Sequence, residues 1–266
     1  EALGVGSLHD ITGAKLAGYR AAVTSSGLAA SSQSQALSAL RSFLSWSGSM
    51  GGHSLPAQMV SVALRAPRVS VAARFNVITE KEIAAMLAAA RDPRERALVG
   101  VLLGSGLRVA EVAKLAVRDV VEAMDGGVAL FVDQGKGRKD RMVPIGAEVD
   151  ALIRTYLAAT GRYLGDDGPL FLANDRGSKS RAKAGLSTRA ISRIVRELAS
   201  AAGIAAKQVT PHALRHSYAM RCLRAGGNVV AVARLLGHSS IATTQRYVDH
   251  LATSELRATV PALPLD

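Results

Sequence analysis

The sequence predicts a mainly α-helical protein that carries one small antiparallel β-sheet. Of its 266 residues 48% are hydrophobic, but aromatic residues make up only 4%. A core built from Ala, Val, Leu and Ile favours helices over β-sandwiches. Apolar residues also recur at spacings of three and four along much of the chain, which is the helical period. Two short runs rich in β-branched residues, 128–132 and 141–143, are typical of strands.

The N-terminal part of the chain is predicted to form a small helical domain over residues 1–66. The pattern is helical from Ile11 to Ser47, with a break and an N-cap expected at Ser31-Ser32. The segment Gly48–His53 is glycine-rich and predicts a flexible connector. A weaker helical pattern covers 57–64.

The stretch that follows has the composition of an inter-domain linker. It combines a proline and several small residues with Arg65, Arg68 and Arg74. Such composition marks boundaries that few contacts cross. We therefore place a basic linker at residues 67–74, and a second domain with a C-terminal tail at 75–266.

The second domain is predicted to hold most of the helices and both strands. Thr79 and Glu82 form the Thr-x-x-Glu pattern of a capping box, so a helix begins at Glu80. A glycine-bearing turn dense in cations, 133–140, separates the strands. The predicted helices cover residues 80–90, 93–103, 108–115, 147–159, 188–202, 211–224 and 229–236, and another short helix begins near Thr243.

The charge balance indicates a polyanionic partner. Thirty-three Lys and Arg against 21 Asp and Glu give a net charge of +12. This excess is typical of nucleic-acid binders, because neutralising phosphates releases counterions; a merely soluble basic protein is the alternative.

The single cysteine, Cys222, excludes an intrachain disulfide and indicates a reducing compartment. With no secretory signal and no apolar run near the ~18 residues of a membrane span, we expect a cytoplasmic protein.

The segment 210–216 predicts an anion-binding helix start. Thr210 is a favoured N-cap and Pro211 suits the first helical position, so unpaired N–H groups face outward there. His212 and Arg215 are three residues apart and share one face. An arginine fork matches two phosphate oxygens, and a histidine can hydrogen-bond or carry a proton. Taken alone, the segment fits an ordinary capped helix equally well.

Two further segments place charged residues beside glycines. Arg108 follows the hinge Gly104-Ser105-Gly106, and Glu111 lies one helical turn later, where it could orient the guanidinium; an ordinary i,i+3 ion pair is the alternative. Lys136 lies at the tip of the predicted hairpin and could donate a proton to a leaving oxygen. A solvated basic turn is the alternative, and Lys139 is a second candidate for the role.

A tyrosine near the C-terminus is the candidate nucleophile. Leu235-Leu236-Gly237 predicts a helix end with His238 just beyond it, and Tyr247 follows nine residues later. A phenol has a pKa of about 10, so it attacks only where cations or a base assist. Taken singly, Tyr247 fits a half-buried structural role better, and it is one of five tyrosines.

Together these residues resemble the tyrosine recombinases, also called phage-type integrases. The family pattern is an arginine after Thr/Ser-Gly-Leu, a hairpin lysine, His-x-x-Arg, Leu-Gly-His, and a tyrosine nine residues beyond that histidine. The resemblance is close over residues 75–250 and looser before them. Glu111 matches the acidic position one turn after the first arginine, which would orient its neighbours without touching substrate. The other matching positions are Arg108, Lys136, His212, Arg215, His238 and Tyr247.

The resemblance implies a reaction. Tyr247 would attack a backbone phosphate, leaving a 3′-phosphotyrosyl bond and a free 5′-hydroxyl. Arg108 and Arg215 would bind the non-bridging oxygens, and Lys136 would protonate the leaving 5′-oxygen. His212 would take the tyrosine proton, and the histidine of Leu-Gly-His would hydrogen-bond the phosphate. No metal and no nucleotide cofactor is expected, because the arginines supply the charge and the phosphotyrosine conserves the bond energy.

The family also implies a core-binding domain and a catalytic domain that clamp duplex DNA, with four protomers on two recombination sites. Residues 1–66 would be the SAM-like core-binding domain. It is shorter than the four or five helices usual in the family, so its first helix is expected to be missing, which agrees with a chain that opens with Glu1. An accessory directionality factor would be a further partner, in a prokaryotic or phage-infected cytoplasm. The tail after Tyr247 would dock into a neighbouring protomer or pack on its own domain.

Other basic residues are expected to contact DNA phosphates. They are Arg41, Arg65, Arg68, Arg74, Arg138, Lys139, Arg176, Lys179, Arg181 and Lys183.

Three alternatives to a recombinase differ in the products they form or in what inhibits them. A type IB topoisomerase reseals the original strand, a non-catalytic DNA-binding relative forms no covalent adduct, and a metal-dependent nuclease loses activity to a chelator. The pairing of His-x-x-Arg with Leu-Gly-His favours the recombinase over the topoisomerase, in a role of integration, transposition or dimer resolution.

Overall fold

The computed structural model divides the chain into two units, Glu1–Ala73 and Arg74–Asp266. It describes residues 6–66, 76–123, 126–133, 140–173, 184–205, 209–238, 240–248 and 251, apart from the side chain of Arg246. The predicted fold class, mainly helical with one small antiparallel sheet, is confirmed. Within these residues, no helix combines the length and the apolar character that a bilayer crossing needs.

In the first unit, residues 6–66 form a short 3₁₀ turn at Leu8–Asp10 and three α-helices. The helices are α1 (Gly13–Ser25), α2 (Ala30–Ser49) and α3 (Ala57–Ala63). Their apolar faces share a core of Ile11, Leu16, Leu37, Leu44, Val60 and Leu64.

Two predicted boundaries in this unit are wrong. Ser31-Ser32 lies inside the first turn of α2, and the chain turns earlier, near Gly27, whose φ of +72° suits glycine. Helix α2 also continues through Gly48 instead of giving way to a connector there. The ring of His53 lies against Gly48, and its Nε2 is 2.7 Å from the carbonyl oxygen of Leu44. The glycine therefore stays helical and leaves room for the chain to fold back.

In the second unit, the described residues form one three-stranded antiparallel sheet, eight α-helices and a short 3₁₀ turn at Val117–Asp119. The strands are β1 (Val120–Glu122), β2 (Val128–Val132) and β3 (Arg141–Ile145), in the order β1-β2-β3. The helices are α4 (Glu80–Ala88), α5 (Pro93–Ser105), α6 (Val109–Val112), α7 (Ala147–Ala159), α8 (Thr188–Ala201), α9 (Pro211–Arg224), α10 (Val229–Leu236) and α11 (Ile241–Val248).

Helices α7, α9 and α10 and strand β2 have the predicted bounds, but α6 does not. It is a single turn, where a helix over 108–115 was expected. The chain beyond it pairs instead with a later segment: the N–H of Val117 donates to the oxygen of Gly168 at 3.0 Å, and that of Leu170 to the oxygen of Leu115 at 2.7 Å. The prediction also missed β1, whose three residues are too few to show a period.

Helix α5 runs through the main core and is buried on nearly every side. Its glycines explain why an apolar run is interrupted there. A side chain at Gly100 or Gly104 would collide with Leu152 or Val149 of α7, so both glycines permit the close helix contact. The helix ends at Gly106, whose φ is +62°. This close packing fixes where Gly106, and the segment after it, enters the site described below.

Candidate active site

The start of α9 places two histidines and an arginine on one face. Thr210 caps the helix by accepting a hydrogen bond from the N–H of Ala213 at 3.1 Å, and a proline occupies its first turn. His212 is exposed at this end, while Arg215 is 3% exposed. His216 lies one turn after His212, and their ring centroids are 4.0 Å apart. The helix start therefore presents a row of nitrogen groups.

Arg215 is fixed by two backbone carbonyls. Its Nη1 donates to the oxygen of Gly106 and its Nη2 to that of Leu236, both at 2.7 Å. Burial, and then the charge of Arg108, lowers the pKa of Arg215 to about 10. The guanidinium remains charged at neutral pH, and a charge held this firmly needs little reorganisation when an anion arrives.

Glu111 joins two more arginines. Its Oε1 accepts from Nη1 of Arg108 at 3.0 Å and from Nη1 of Arg141 at 3.1 Å, and its Oε2 accepts from Nη2 of Arg141 at 2.9 Å. Although burial opposes the charged form, hydrogen bonds from Arg141 and Arg108 hold the pKa of Glu111 below its ordinary value. The ionised carboxylate therefore orients both guanidinium groups.

All three arginines meet the C-terminal end of α10. The carbonyls of residues 235–237 have no partner within that helix and are slightly negative. Arg141 donates to the first at 3.0 Å, Arg215 to the second at 2.7 Å and Arg108 to the third at 3.1 Å. Three positive groups are thereby gathered around one helix end, beside a single carboxylate among the contacts described. The cluster has the charge and the donor geometry to bind a phosphate.

His238 follows this helix end directly. Its Nδ1 is 2.7 Å from the hydroxyl oxygen of Thr244 on α11. Burial, followed by Arg215 and Arg108, lowers the pKa of His238 to about 4. The same three causes, in the same order, lower the pKa of His212. Both rings are therefore neutral at physiological pH and can act as hydrogen-bond donors to phosphate without adding charge.

Tyr247 lies on α11, packed against α9 and α10, and is 3% exposed. Its hydroxyl oxygen is 2.6 Å from Nδ1 of His216, and the two ring centroids are 5.3 Å apart. Its ring also lies parallel to that of His238, at 6.5 Å. The expected proton acceptor, His212, lies against His216, with 4.0 Å between the two ring centroids.

The structure thus brings together Glu111 and five of the six predicted catalytic residues. The sixth, Lys136, lies outside the described residues, as do eight of the residues expected to contact DNA: Arg68, Arg74, Arg138, Lys139, Arg176, Lys179, Arg181 and Lys183. In the first unit, Arg41 is half-buried on α2 and Arg65 is exposed after α3. Of the expected tail, Leu251 packs on its own unit against the cluster around Tyr247. Within the described residues, no three His, Cys, Asp or Glu side chains are grouped to hold a metal.

Sequence reasoning missed three side chains of this site. Arg141 carries a local signal, since it opens a predicted strand directly after a cationic turn. His216 is four residues after His212 and so shares its helix face, which the His-x-x-Arg pattern alone does not reveal. Thr244 gives no signal that separates it from an ordinary helix residue.

A substitution at Gly106, whose carbonyl oxygen binds Arg215, tests how closely the residues around it pack. In Gly106→Ala the left-handed backbone costs about 1–2 kcal/mol, and the new Cβ collides with the ring of Tyr218, for which overpacking costs about 1–3 kcal/mol more. The control is Gly161→Ala, with φ of +66° and open space around the Cβ. We expect thermal denaturation to show the larger loss for Gly106→Ala. Equal losses would mean that Gly106 matters only for its backbone angle.

The neutral histidines predict a pH-dependent stability. Burial, then His212 and Arg215, lowers the pKa of His216 to about 3 from an ordinary value of 6.5. Between these values the unfolded chain binds more protons than the folded one, so the free energy of unfolding falls as the pH is lowered from about 6.5 to 5. Calorimetry of the whole protein at several pH values measures this change. In His216→Asn the free energy of unfolding of the second unit should depend less on pH. Trp46, the single tryptophan, reports the first unit separately. A melting temperature that is constant or higher at pH 5 would contradict the assignment.

Comparison with known sequences gives a consistent result. A model described as the phage integrase family matches residues 76–254. Tyrosine recombinase XerC of Pelobacter propionicus (strain DSM 2379 / NBRC 103807 / OttBd1) is 35% identical over 232 residues, which cover 85% of this chain and 70% of that protein. Tyrosine recombinase XerC of Methylobacterium sp. (strain 4-46) is 42% identical over 154 residues, which cover 58% and 45%. The matches therefore span between 45% and 70% of the length of these relatives.

Solved structures share the fold. The crystal structure of XerA recombinase is 31% identical with a TM-score of 0.58, over 94% of this chain and 82% of that one. XerH site-specific recombinase, in a post-cleavage complex with a palindromic difH substrate, has a TM-score of 0.73 at 21% identity, over 96% and 73%. With a family model that matches more than half of its length, this chain belongs to the phage integrase family.

Proposed function

We propose that this protein is a site-specific DNA recombinase that cleaves and rejoins duplex DNA through a phosphotyrosyl bond at Tyr247. The observation that carries the proposal is the group of three arginines held at the end of α10, next to a buried tyrosine hydroxyl. Together they supply a place for a phosphate and a nucleophile to attack it. Neither feature needs a cofactor.

The reaction assigns a role to each group. Arg108 and Arg215 bind the non-bridging oxygens and stabilise the charge that collects on the phosphorus during attack. His212 is our candidate for the base that takes the tyrosine proton. His238 donates a hydrogen bond to the phosphate oxygens. Lys136 is our candidate for the acid that protonates the leaving 5′-oxygen, since an alkoxide leaves slowly without one. In rejoining, a 5′-hydroxyl attacks the phosphotyrosine and releases Tyr247.

The relatives support the partners we propose. Proteins of similar sequence are named tyrosine recombinases, and a protein of the same fold is seen in complex with its DNA substrate. The net charge of +12 suits such a substrate. We propose that residues 1–66 and the second unit both bind DNA, and that four copies act on two sites. The reaction would take place in the cytoplasm, with an accessory factor setting its direction.

Covalent capture tests the proposal directly. Purified protein is incubated with fragmented DNA of the source organism and its mobile elements, denatured, and the DNA bound to protein is sequenced. We expect reads that end at one short sequence, with a 3′-phosphate joined to the protein. A nicked duplex of that sequence should then trap the adduct in high yield. Absence of any adduct would indicate a DNA-binding relative without catalytic activity.

Paired sites separate recombination from relaxation. A supercoiled plasmid with two copies of the recovered site should yield recombinant circles, whereas a plasmid with no site should remain supercoiled. Relaxation that is independent of the site and of assembly would identify a type IB topoisomerase instead.

A chelator should leave cleavage unchanged. Because guanidinium groups supply the positive charge in the proposed reaction, cleavage of the nicked duplex should proceed at the same rate in excess EDTA. A metal-dependent nuclease in the same buffer is the positive control, since it should lose its activity. A loss that added Mg²⁺ restores would contradict the proposed mechanism.

A further inference from the structure

The hydroxyl of Tyr247 contacts a histidine that is not among the motif positions quoted above. His216 is 9% exposed, and its Nδ1 lies 2.6 Å from the hydroxyl oxygen of Tyr247. That distance is well within hydrogen-bonding range for a ring nitrogen and a hydroxyl. His216 follows Arg215 directly on α9, and two backbone carbonyls fix the position of Arg215. The ring is therefore held in place relative to the phosphate-binding cluster.

We propose that His216, through Nδ1, takes the proton of the Tyr247 hydroxyl as its oxygen attacks phosphorus. This inference rests on the function proposed above and replaces His212 in that one role. The bond between the tyrosine oxygen and phosphorus forms, and the bond from phosphorus to the 5′-oxygen breaks. The hydroxyl proton moves to Nδ1, and the leaving oxygen receives a proton from the separate acid, our candidate for which is Lys136.

The surroundings of His216 suit an acceptor. Burial and the positive groups nearby lower the pKa of His216 and keep its ring neutral, so a lone pair is available at neutral pH. A neutral ring carries one proton, and if Nδ1 accepts, that proton is on Nε2. An incoming phosphate brings negative charge among the arginines, which offsets their field and makes the ring more basic at the moment of attack. His212, by contrast, is exposed at the helix start and is free to serve the phosphate.

The tautomer is the first test, and it needs no DNA. In protein with ¹⁵N-labelled histidine, we expect NMR to show His216 protonated on Nε2, with an Nδ1 signal that shifts in Tyr247→Phe. A proton on Nδ1 would overturn the proposal, because His216 would then donate to the tyrosine oxygen.

The second test measures proton transfer in cleavage of the nicked duplex. His216→Asn keeps an acceptor oxygen near the Nδ1 position but cannot take a proton, so the adduct should form about 10²-fold more slowly. Replacing Tyr247 with a fluorotyrosine, whose phenol is more acidic, should restore much of that rate in the variant and little in the wild type. His212→Asn should show no such recovery.

Three results would overturn the inference. One is cleavage by His216→Asn at the wild-type rate, which would mean that accepting a hydrogen bond is enough. Another is equal recovery with fluorotyrosine in the wild type and the variant, and the last is recovery confined to His212→Asn. Melting curves verify that each variant is folded. If the wild type forms no adduct at all, the proposed function itself fails, while the NMR test still reports on the contact.

Discussion

Tyr247→Phe should abolish the covalent adduct while leaving DNA binding intact. The change removes one oxygen, which is both the proposed nucleophile and the group that contacts Nδ1 of His216 at 2.6 Å. Without that oxygen no phosphotyrosine can form, so we expect no adduct on the nicked duplex above background. The ring remains, and with it the packing against α9 and α10. The loss of stability should be about 1–3 kcal/mol, because a buried ring nitrogen loses the hydroxyl that it contacts.

The measurement is denaturing electrophoresis of the nicked duplex with wild type and variant, with DNA affinity measured in parallel. The matched control is Tyr163→Phe, because Tyr163 is 72% exposed and belongs to the turn after α7, where its N–H donates to Asp166. It should form the adduct at the wild-type rate. An adduct that persists in Tyr247→Phe would refute the assignment of the nucleophile.

The other buried tyrosines described in the second unit are poor candidates on physical grounds. The hydroxyl of Tyr156 accepts a hydrogen bond from the N–H of Leu172 at 3.0 Å, and its ring stacks on Phe171 inside the core. Burial raises the pKa of Tyr218, which makes its phenol harder to ionise. Tyr247 differs from both in its position beside three arginines and two neutral histidines.

Features that depend on local chemistry could be predicted from the sequence. The capping box of Thr79 and Glu82 forms as expected, because both partners lie within one helical turn. Thr210 caps α9 for the same reason, and Gly237 ends α10 with φ of +65°. In contrast, the continuation of α2 through Gly48 depends on a contact made later in the chain, which no local pattern reveals.

In the site, too, local relationships could be predicted from the sequence and tertiary ones could not. The spacing of His212 and Arg215 on one helix turn, or of Arg108 and Glu111, is enough to predict that the members of each pair share one helix face. Which side chain meets Tyr247 depends on how α11 packs against α9, and the role of Arg141 depends on where β3 lies relative to α10. Both depend on tertiary packing, and the apolar pattern of each segment is compatible with more than one way of packing.

Arg215→Lys should lower the cleavage rate by about 10²–10³-fold, the loss typical of removing one preorganised donor from a transition state. Lysine keeps the charge but replaces a planar fork with a single ammonium group. It cannot donate to the oxygens of Gly106 and Leu236, as Arg215 does at 2.7 Å each, and also present two parallel donors to a phosphate. Single-turnover cleavage measures the effect, and DNA affinity should change much less, since many other cations contact the backbone.

The same substitution separates catalysis from support of the fold. Losing one of two buried carbonyl partners should destabilise the second unit by about 1–3 kcal/mol, which melting curves would detect without loss of the folded state. The control is Arg154→Lys, where an exposed arginine pairs with Asp150 at 2.8 Å on α7 and surface pairs contribute little. It should change neither rate nor stability appreciably. If Arg215→Lys cleaved within threefold of the wild type, the fork geometry would be irrelevant and charge alone would account for the site. If Arg215→Lys and Arg154→Lys were equally slow, the loss of rate could not be assigned to contact between Arg215 and the phosphate.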